Sequence, residues 1–374
     1  MRVTAIVNLM DPYNRRIIPG AAEFARKHGW DLSIQNVARA SELPALVRDT
    51  DGLLLGVHNF EADPVLTRTL IPAVCWSGSM VEVNWRRVLN DDIAIGRLAA
   101  EHLLTRGFRH FIFFNNAPEI WSVRRRDGFI GRLEADGHTA QTLSLLNNQS
   151  DIEQLVDRLR RLPKPFGVMV DHDPSAIPFM AACREAGLRI PEDAAVVGVN
   201  DEEFVCSVCD PPLSSIPLQT HRIGYESAAL LQRLVQKAPL PPWSIVVPPG
   251  ELIVRRSSDT LATTDKLVID AVRYIREHLH LGVGTKEVAA EMGISRTTLD
   301  TRLSAAVGRT AAMEIRRERL DLVCRLLSST DLPMPEVARR SGFSSARQLS
   351  ESFRLFLHQK PTDYRKYFRV RSGR

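Results

Sequence analysis

The 374-residue sequence lacks the features of membrane proteins and of disulfide-rich proteins. No window approaches the ~18 consecutive apolar residues that a membrane-spanning helix requires. The apolar stretch at the N-terminus ends at Asp11 and Pro12, which makes it too short for a secretion signal, and no cleavage site follows it. The five cysteines form an odd, scattered set, which argues for reduced thiols and against a disulfide framework. We therefore expect a cytoplasmic location.

One pair of cysteines has the spacing found in some metal sites. Cys206 and Cys209 have C-x-x-C spacing, but a structural zinc needs four ligands and no partner pair lies nearby in the sequence. The sequence also lacks a nucleophile elbow, a metal triad and a phosphate loop. The sequence therefore predicts that the protein has no metal site, no cofactor and no enzymatic activity. An enzymatic activity of the N-terminal part stays an alternative.

Charge is distributed unequally along the chain. The whole chain has a net charge of +5, but residues 261–374 carry 21 Lys and Arg against 13 Asp and Glu, whereas residues 1–260 carry 28 against 31. A basic part joined to a slightly acidic one is the pattern expected when only one part binds a polyanion such as DNA. A solvated basic surface without a partner is the alternative interpretation.

Residues 1–250 alternate short apolar runs with amphipathic stretches. The predicted strands are residues 2–9, 51–57, 73–75, 110–114, 166–170 and 194–199. The predicted helices between them are residues 19–28, 94–106, 124–136, 154–162 and 175–186. This alternation predicts an α/β fold with parallel sheets and helices on both faces, and ligands bind such sheets beyond the carboxyl ends of the strands.

Polar side chains follow several of the predicted strands, as a pocket for a hydroxyl-rich ligand requires. These residues are Asp11, Tyr13, Arg15, His58, Asn59, Asp171, His172, Asp173, Asn200 and Asp201. Carboxylate, amide and guanidinium groups supply the convergent donors and acceptors that sugar hydroxyls need. Asp and Asn at a strand end also commonly cap the next helix, and that interpretation stays open for each of them.

A series of short motifs runs through residues 1–256. They include Asn-Asp-Asp at 90–92, Arg-Arg-Arg-Asp-Gly-Phe at 124–129, Ile-Pro-Glu-Asp at 190–193 and Val-Val-Gly-Val-Asn-Asp at 196–201. In this order they resemble the ligand-binding domain of LacI/GalR-type regulators and their periplasmic sugar-binding relatives. The resemblance implies two lobes hinged around a buried sugar, with closure of the lobes as the signal.

The same resemblance implies roles for three residues. In the family an arginine three residues before the Gly-Phe pair reaches the ligand, and this role carries over to Arg125. A carboxylate often accepts sugar hydroxyls at the position of Asn200; the amide in this chain keeps an acceptor, gains two donors and loses the charge. Asp201 is the candidate to supply a carboxylate instead.

A motif of eight residues occurs twice in the basic part. Residues 288–295 and 337–344 share the pattern V-A-x-x-x-G-φ-S, where φ is apolar. The pattern fits a helix-turn-helix, because Ala lets two helices cross closely, Gly supplies the left-handed turn and Ser caps the next helix. We predict recognition helices over residues 296–307 and 345–358, joined by a long helix over residues 311–328.

Each predicted recognition helix presents polar side chains for contact with DNA. Those of the first helix are Arg296, Thr297, Thr298, Asp300, Thr301 and Arg302, and those of the second are Ala346, Arg347, Gln348, Ser350, Glu351 and Arg354. A recognition helix reads base edges with its N-terminal residues and holds phosphates with basic groups. Arg347 and Gln348 have the chemistry to recognise guanine and adenine, and we expect the two units to read different bases.

Further motifs follow the repeat in the basic part. They are Arg-Leu at 319–320, Leu-Leu-Ser-Ser-Thr-Asp at 326–331, Ser-Gly-Phe at 341–343 and Pro-Thr-Asp-Tyr-Arg at 361–365. With the repeat they resemble the AraC-type DNA-binding domain over most of residues 265–374. The resemblance implies base-reading roles for Thr297, Asp300 and Thr301, and for Ala346, Arg347, Ser350 and Glu351. Leu349 and His358 depart from the family, which favours an aromatic residue and a helix-ending glycine there.

The sequence predicts a sensor domain over residues 1–256, a polar linker over residues 257–264 and a DNA-binding domain over residues 265–374. A LacI-like sensor in front of an AraC-type domain is an uncommon combination, and the full chain resembles the pentose regulators that share it. This resemblance implies D-xylose as effector, promoter DNA as partner, a homodimer, and activation of pentose catabolic genes. Two alternatives stay open: a regulator of a different monosaccharide or small metabolite, and a ligand-free architectural DNA-binding protein.

Overall fold

Two parallel sheets precede a helical C-terminal region. The computed structural model describes residues 1–36, 40–47, 49–56, 64–77, 85–116, 119–145, 149–241, 244–263, 265–357 and 359–369. The strands are β1 (Arg2–Val7), β2 (Asp31–Asn36), β3 (Gly52–Gly56), β4 (Ala73–Cys75), β5 (Arg86–Asn90), β6 (His110–Asn115), β7 (Ala140–Ser144), β8 (Phe166–Val170), β9 (Ala194–Asn200), β10 (Ser214–Pro217) and β11 (Ser244–Val247).

Helices connect the strands in the front part of the chain, and the described residues after β11 form helices without further strands. Those of the front part are α1 (Pro12–Lys27), α2 (Leu43–Leu46), α3 (Pro64–Thr67), α4 (Asp92–Thr105), α5 (Ile120–Glu134), α6 (Gln149–Arg161), α7 (Asp173–Glu185), α8 (Glu203–Val208) and α9 (Thr220–Val235). Those of the C-terminal region are α10 (Lys266–His278), α11 (Thr285–Glu291), α12 (Arg296–Val307), α13 (Ala311–Ser329), α14 (Met334–Arg340), α15 (Ala346–Leu357) and α16 (Pro361–Arg369). Short 3₁₀ segments occupy Ala40–Glu42 and Leu279–Leu281.

Each sheet forms the centre of one lobe. The N-lobe sheet has the order β11-β5-β4-β3-β1-β2, and the C-lobe sheet has the order β10-β9-β8-β6-β7. All of these strand pairs are parallel. The predicted α/β architecture with parallel sheets is therefore confirmed.

Both faces of the C-lobe sheet are buried. Along β6, Ile112 and Phe114 pack into one apolar cluster, while Phe111 and Phe113 pack into the cluster on the opposite face. Side chains alternate between the faces of a strand, so a strand covered on both sides has to be apolar throughout. This explains why these strands stand out in the sequence as continuous apolar runs.

Helix α1 begins seven residues before its predicted start at residue 19. The Asp11 side chain accepts a hydrogen bond of 2.8 Å from the backbone N–H of Tyr13, and Pro12 occupies the first turn. Proline is favoured in the first turn because its missing N–H has no partner there. The helix continues through Pro19, which the prediction wrongly took as a starting point.

Helices α4 and α5 cross at a very short distance through two glycines. A Cβ atom on Gly96 would lie 2.0 Å from the carbonyl oxygen of Arg125, and one on Gly128 would lie 2.2 Å from the carbonyl oxygen of Ile93. Only residues without a side chain allow backbones to approach so closely. The contact places the start of α5 against the start of α4.

The predicted linker begins inside the packed C-lobe. Ser257 and Ser258 are fully buried. The Ser257 hydroxyl donates to the carbonyl oxygen of Val196 at 2.7 Å, and the Ser258 hydroxyl lies 2.8 Å from that of Ser214. The hydrogen bonds make residues 257 and 258 part of the lobe, and the three-segment division stays a prediction.

The C-terminal region has two apolar cores that share one helix. Helix α13 supplies Ile315 to the first core, which also contains Leu299 and Leu303 of α12. The same helix supplies Val323 to the second core, with Leu349 and other residues of α15. Helix α13 joins the two helical units, as predicted from the sequence, and its place in both cores fixes their relative position.

The described residues contain neither a membrane-spanning helix nor a metal-binding cluster. None of the helices there has the length and apolar character needed to cross a lipid bilayer. Within the same residues, no group of three or more His, Cys, Asp or Glu side chains is arranged to hold a metal ion.

We expect Gly128→Ala to lower the melting temperature, because the new methyl group would collide with the backbone of α4. Overpacking of this kind typically costs about 1–3 kcal/mol. Gly131 lies three residues further along α5, where a Cβ meets nothing within 4 Å. Gly131→Ala is therefore the matched control and should raise stability slightly, by up to about 1 kcal/mol, because alanine favours helices. Thermal unfolding followed by circular dichroism measures both; equal melting temperatures would contradict the packing argument.

Candidate ligand pocket and nucleic-acid interface

A buried ion pair joins the beginnings of α4 and α5. The Nε atom of Arg125 donates to Oδ1 of Asp92 at 2.9 Å, and the two side chains are 4% and 7% exposed. The Nη1 atom of Arg125 donates to the carbonyl oxygen of Asp171 at 2.7 Å, at the end of β8. Among the described residues nothing accepts a hydrogen bond from Nη2. This nitrogen is therefore available to a ligand.

An aromatic ring lies beside the Arg125 guanidinium, and a second ring packs against the first. The central carbon of the guanidinium lies 4.7 Å from the centre of the Trp121 ring, and that ring meets His172 edge-on at 5.4 Å. The side chain of Asp171 is fully buried. Its Oδ1 atom accepts a hydrogen bond of 2.9 Å from the backbone N–H of His172 and lies 2.8 Å from Nδ1 of the His172 ring, which fixes the ring in place. The Ser122 hydroxyl donates to the other carboxylate oxygen of Asp171 at 3.2 Å. The C-lobe thus presents an aromatic surface next to a charged donor.

The N-lobe adds a phenol and an amide to the same site. Asn90 donates through Nδ2 to the Tyr13 hydroxyl at 2.8 Å. Burial, and next the negative charge of Asp92, raise the pKa of Tyr13 above its ordinary value. The phenol therefore stays protonated and keeps an O–H donor for a ligand.

A loop at the end of β9 links the two lobes. Asn200 and Asp201 both have positive φ angles, 111° and 49°. The Nη2 atom of Arg16, on α1 of the N-lobe, donates to the carbonyl oxygen of Asn200 at 2.6 Å. Asp201 forms an ion pair of 2.7 Å with Arg255. The side-chain amide of Asn200 makes no hydrogen bond within the described residues, although the backbone of this residue is held by Arg16.

Besides Asp201, two further predicted ligand residues are engaged in contacts with neighbouring residues. Arg15 is exposed and donates through Nη1 to the carbonyl oxygens of Leu9, 2.7 Å, and Met10, 3.1 Å. Asp173 is fully buried and accepts hydrogen bonds from the Ser215 hydroxyl at 2.6 Å and the Glu202 N–H at 2.8 Å. Burial raises the pKa of Asp173 to about 6. These contacts fix the loops around the pocket.

Tyr13, Arg125, Asp171 and His172 are predicted from the sequence to bind the ligand, and the structure brings these four together. Asp92, Asn90 and Trp121 are not among the ligand residues predicted from the sequence. Trp121 lies four residues before Arg125, and this spacing places both side chains on one face of a helix. The sequence could therefore have predicted that Trp121 lies beside Arg125. His58 and Asn59 lie outside the described residues.

The two repeated motifs form helix-turn-helix units as predicted. Gly293 and Gly342 have φ angles of 67° and 74°, in the turns between α11 and α12 and between α14 and α15. The Ser295 hydroxyl caps α12 by accepting from the N–H of Thr298 at 3.0 Å. In the second unit the capping residue is Ser345, which accepts from Gln348, instead of Ser344, because this turn is one residue longer.

The first recognition helix, α12, presents a mostly exposed polar surface. Five of its predicted DNA-contacting residues are exposed, namely Arg296, Thr297, Thr298, Thr301 and Arg302. Arg302 forms an ion pair of 3.2 Å with Asp265, ahead of α10. Asp300 is half-buried and accepts from the N–H of Ala311 at 2.8 Å, so it ties α12 to α13.

The second recognition helix, α15, presents a different set of groups. Arg347, Gln348, Ser350, Glu351 and Arg354 are exposed and Ala346 is half-buried. Arg347 forms an exposed ion pair of 2.8 Å with Glu351. Gln348 accepts through Oε1 from the N–H of Ser344 at 2.9 Å. His358, the predicted end of this helix, lies outside the described residues.

Comparison with known proteins covers both parts of the chain. Residues 100–258 match the periplasmic binding protein-like domain family, and residues 288–367 match a helix-turn-helix domain family. A xylose operon regulatory protein of Escherichia coli (strain K12) is 29% identical over 380 residues, which is 97% of this chain and 96% of that protein. One from Haemophilus influenzae is 25% identical over 383 residues, 97% of this chain and 98% of that protein. The solved structure of a xylose-binding transcription activator has a TM-score of 0.61 and 27% identity, covering 98% of this chain and 97% of that one.

The chain is a DNA-binding transcription regulator. It combines a periplasmic-binding-protein-like sensor with an AraC-type helix-turn-helix region and is not an enzyme. In the regulator, the side chains around Arg125 belong to the sensor, while α12 and α15 belong to the DNA-binding region.

We expect Arg347→Ala to weaken binding of the regulator to its cognate site far more than to random DNA. A lost bidentate contact to a base removes about 1–3 kcal/mol of discrimination, whereas a lost phosphate contact weakens both complexes alike. Arg273 on α10 is also an exposed arginine in an ion pair, 2.6 Å from Asp270, and Arg273→Ala is the control. The measurement is fluorescence anisotropy with a site selected from random sequences. Equal losses on both DNAs would assign Arg347 to phosphate.

Proposed function

We propose that the regulator binds D-xylose in its sensor and, in response, activates transcription of genes for the use of this pentose. The curated relatives named above are xylose operon regulators, and the solved relative is a xylose-binding activator. Their similarity extends over nearly the whole chain, so it includes the sensor and the DNA-binding region in the same order.

The observation that carries the sugar proposal is the Nη2 atom of the buried Arg125, which makes no hydrogen bond within the part of the chain that the structure describes. A buried guanidinium that is bonded on two sides to Asp92 and Asp171 can donate its remaining N–H groups only in one direction. Sugar hydroxyls accept such bonds and also need acceptors, which Asp92 supplies. The Trp121 ring offers a flat apolar surface for the C–H groups of a sugar ring.

We assign two kinds of role to the sensor residues. Direct contact with the sugar is proposed for Tyr13, Arg125, His172 and Asn200. Asp171 holds Arg125 and His172 in place. Support of the surrounding loops is proposed for Arg15, Asp173 and Asp201, since their side chains are engaged in contacts with neighbouring residues.

For the DNA-binding region we propose that both recognition helices enter adjacent major-groove segments. Base contacts are assigned to Arg296 and Thr297 in the first unit, and to Arg347 and Gln348 in the second. Thr298, Thr301, Arg302, Ser350 and Arg354 are assigned to the flanking backbone and bases. The two helices present unlike groups, so the site that one chain reads is asymmetric.

We further propose that the regulator acts in the cytoplasm as a homodimer. A dimer would place two reading surfaces on one promoter, which raises affinity and specificity without new contacts within each chain. Sedimentation equilibrium of the full chain tests this directly: a monomer at micromolar concentration, with and without DNA, would refute it.

A second candidate is a regulator of the same kind that responds to a different monosaccharide. Asn200 favours this candidate, because the resemblance to the LacI/GalR-type family places a carboxylate at this position. An amide gains two donors and loses the negative charge, so it prefers a different arrangement of hydroxyls.

Calorimetric titration of the full chain with a panel of pentoses and hexoses separates the candidates. We expect heat of binding with D-xylose and little or none with other sugars. Binding of another sugar alone would favour the second candidate. Absence of heat with every sugar would remove the sensor proposal, and turnover of a sugar would indicate an enzyme.

We expect Arg125→Ala to abolish the response to D-xylose while leaving DNA binding measurable. The substitution removes the donor and leaves Asp92 buried without its partner, a change that costs about 3–5 kcal/mol for a buried pair. Arg126, the next residue, is partly exposed and pairs with Asp127, so Arg126→Ala is the matched control. The measurement is DNA affinity as a function of sugar concentration. A normal dose response of Arg125→Ala would refute the pocket assignment.

A further inference from the structure

The sensor meets the DNA-binding region at the C-terminal end of α4. The Nη2 atom of Arg309, in the loop between α12 and α13, donates a hydrogen bond to the carbonyl oxygen of Thr105. Gly107 has a φ of 84°, and a Cβ there would lie only 2.8 Å from the carbonyl oxygen of Ala306. The sensor backbone therefore touches the end of the first recognition helix.

The opposite end of α4 lies in the ligand pocket. Its first residue, Asp92, holds the 2.9 Å ion pair with Arg125. The helix runs without interruption from Asp92 to Thr105, a length of about 20 Å at 1.5 Å per residue. One rigid element thus spans the distance between the pocket and the DNA-binding region.

Arg309 connects this contact to the helix that separates the two reading units. Its Nε atom donates to Glu314 at 2.8 Å, and Glu314 also accepts from Arg317 at 2.7 Å. Glu314 is fully buried on α13. A displacement of Thr105 therefore acts through Arg309 on α13, as well as on α12.

The recognition helix itself is bonded to the same loop. Asp300 on α12 accepts from the N–H of Ala311 at 2.8 Å, at the first residue of α13. Asp300 is one of the residues predicted to read DNA. The loop at 308–310 is therefore held between the sensor and the first recognition helix.

The contact contains a buried group whose bonding is incomplete. Arg106 is 6% exposed, its Nε atom has no hydrogen-bond partner among the described residues, and its Nη1 atom is 3.4 Å from the carbonyl oxygen of His102. Burial lowers the pKa of Arg106 to about 10, so it remains charged at neutral pH. A buried charge with few hydrogen bonds is costly, so the sensor side of this contact contains a destabilising group.

We propose that α4 couples the ligand pocket to the first recognition helix, with Gly107 and Arg309 as the positioning residues of the contact. When a ligand displaces Asp92, the far end of α4 moves against Ala306 and Arg309. The movement changes the orientation of α12 directly and that of the second unit through α13. The inference deepens the proposed function, on which it rests for the identity of the sugar.

Two variants of the full chain test this coupling. Gly107→Asn keeps the left-handed backbone, which asparagine tolerates, but places a Cβ against Ala306. Its matched control is Gly137→Asn, which follows α5 in the same left-handed conformation, φ 76°, with nothing within 4 Å. Arg309→Ala removes the bond to Thr105, and circular dichroism verifies that each variant is folded.

The first readout does not depend on any sugar. Hydrogen exchange of residues 100–109 is measured with and without a DNA site selected by the regulator. Because coupling is reciprocal, we expect DNA to change exchange by at least about fivefold in the wild type and in Gly137→Asn, and by less than about twofold in Gly107→Asn and Arg309→Ala. No change in the wild type, or equal changes in all four proteins, would overturn the inference.

The second readout is DNA affinity with and without D-xylose. We expect the sugar to shift affinity in the wild type and in Gly137→Asn by about 5- to 150-fold, and to have little effect in the two contact variants, although they still bind sugar and DNA. A full sugar response in both contact variants would contradict the coupling. If D-xylose has no effect on the wild type while the exchange response is intact, the choice of sugar is wrong and the coupling stands.

Discussion

The pocket depends on the buried ion pair between Arg125 and Asp92. Taking two charges out of water is costly, and the cost is recovered only with good geometry and further hydrogen bonds, here from Arg125 to the backbone of Asp171. Gly96 and Gly128 provide that geometry, because they let α4 and α5 cross closely enough for the two side chains to meet. The pair thus links helix packing to the chemistry of the site, and it anchors α4 at one end.

The C-terminal end of α4 contacts the DNA-binding region, and the long helix α13 connects the two helix-turn-helix units of that region. Helix α13 shares both apolar cores of the region, so the two units are held in one frame. They nevertheless present unlike surfaces: the first offers Thr297 and Thr301, the second the Arg347 and Glu351 pair. One chain therefore carries two different recognition helices, α12 and α15, at a fixed relative position. In the proposed coupling, a displacement of the loop before α13 changes the orientation of both.

Much of this architecture was predictable, because buried parallel strands are apolar throughout and helix ends carry recognisable residues. Helix α12 has the predicted bounds, with Ser295 before it and Gly308, in the left-handed conformation, after it. Strand β2 was missed because it is an edge strand with mostly exposed or half-exposed residues. The partners Asp92 and Arg125 lie 33 residues apart, and only the crossing of two helices brings them together.

The central claim is that sugar binding in the sensor changes DNA binding by the other part of the chain. The most direct measurement is the affinity of the full regulator for its own promoter fragment in increasing concentrations of D-xylose. The account predicts a saturable change of at least about fivefold in affinity. An affinity that stays the same with D-xylose and with every other monosaccharide would contradict it.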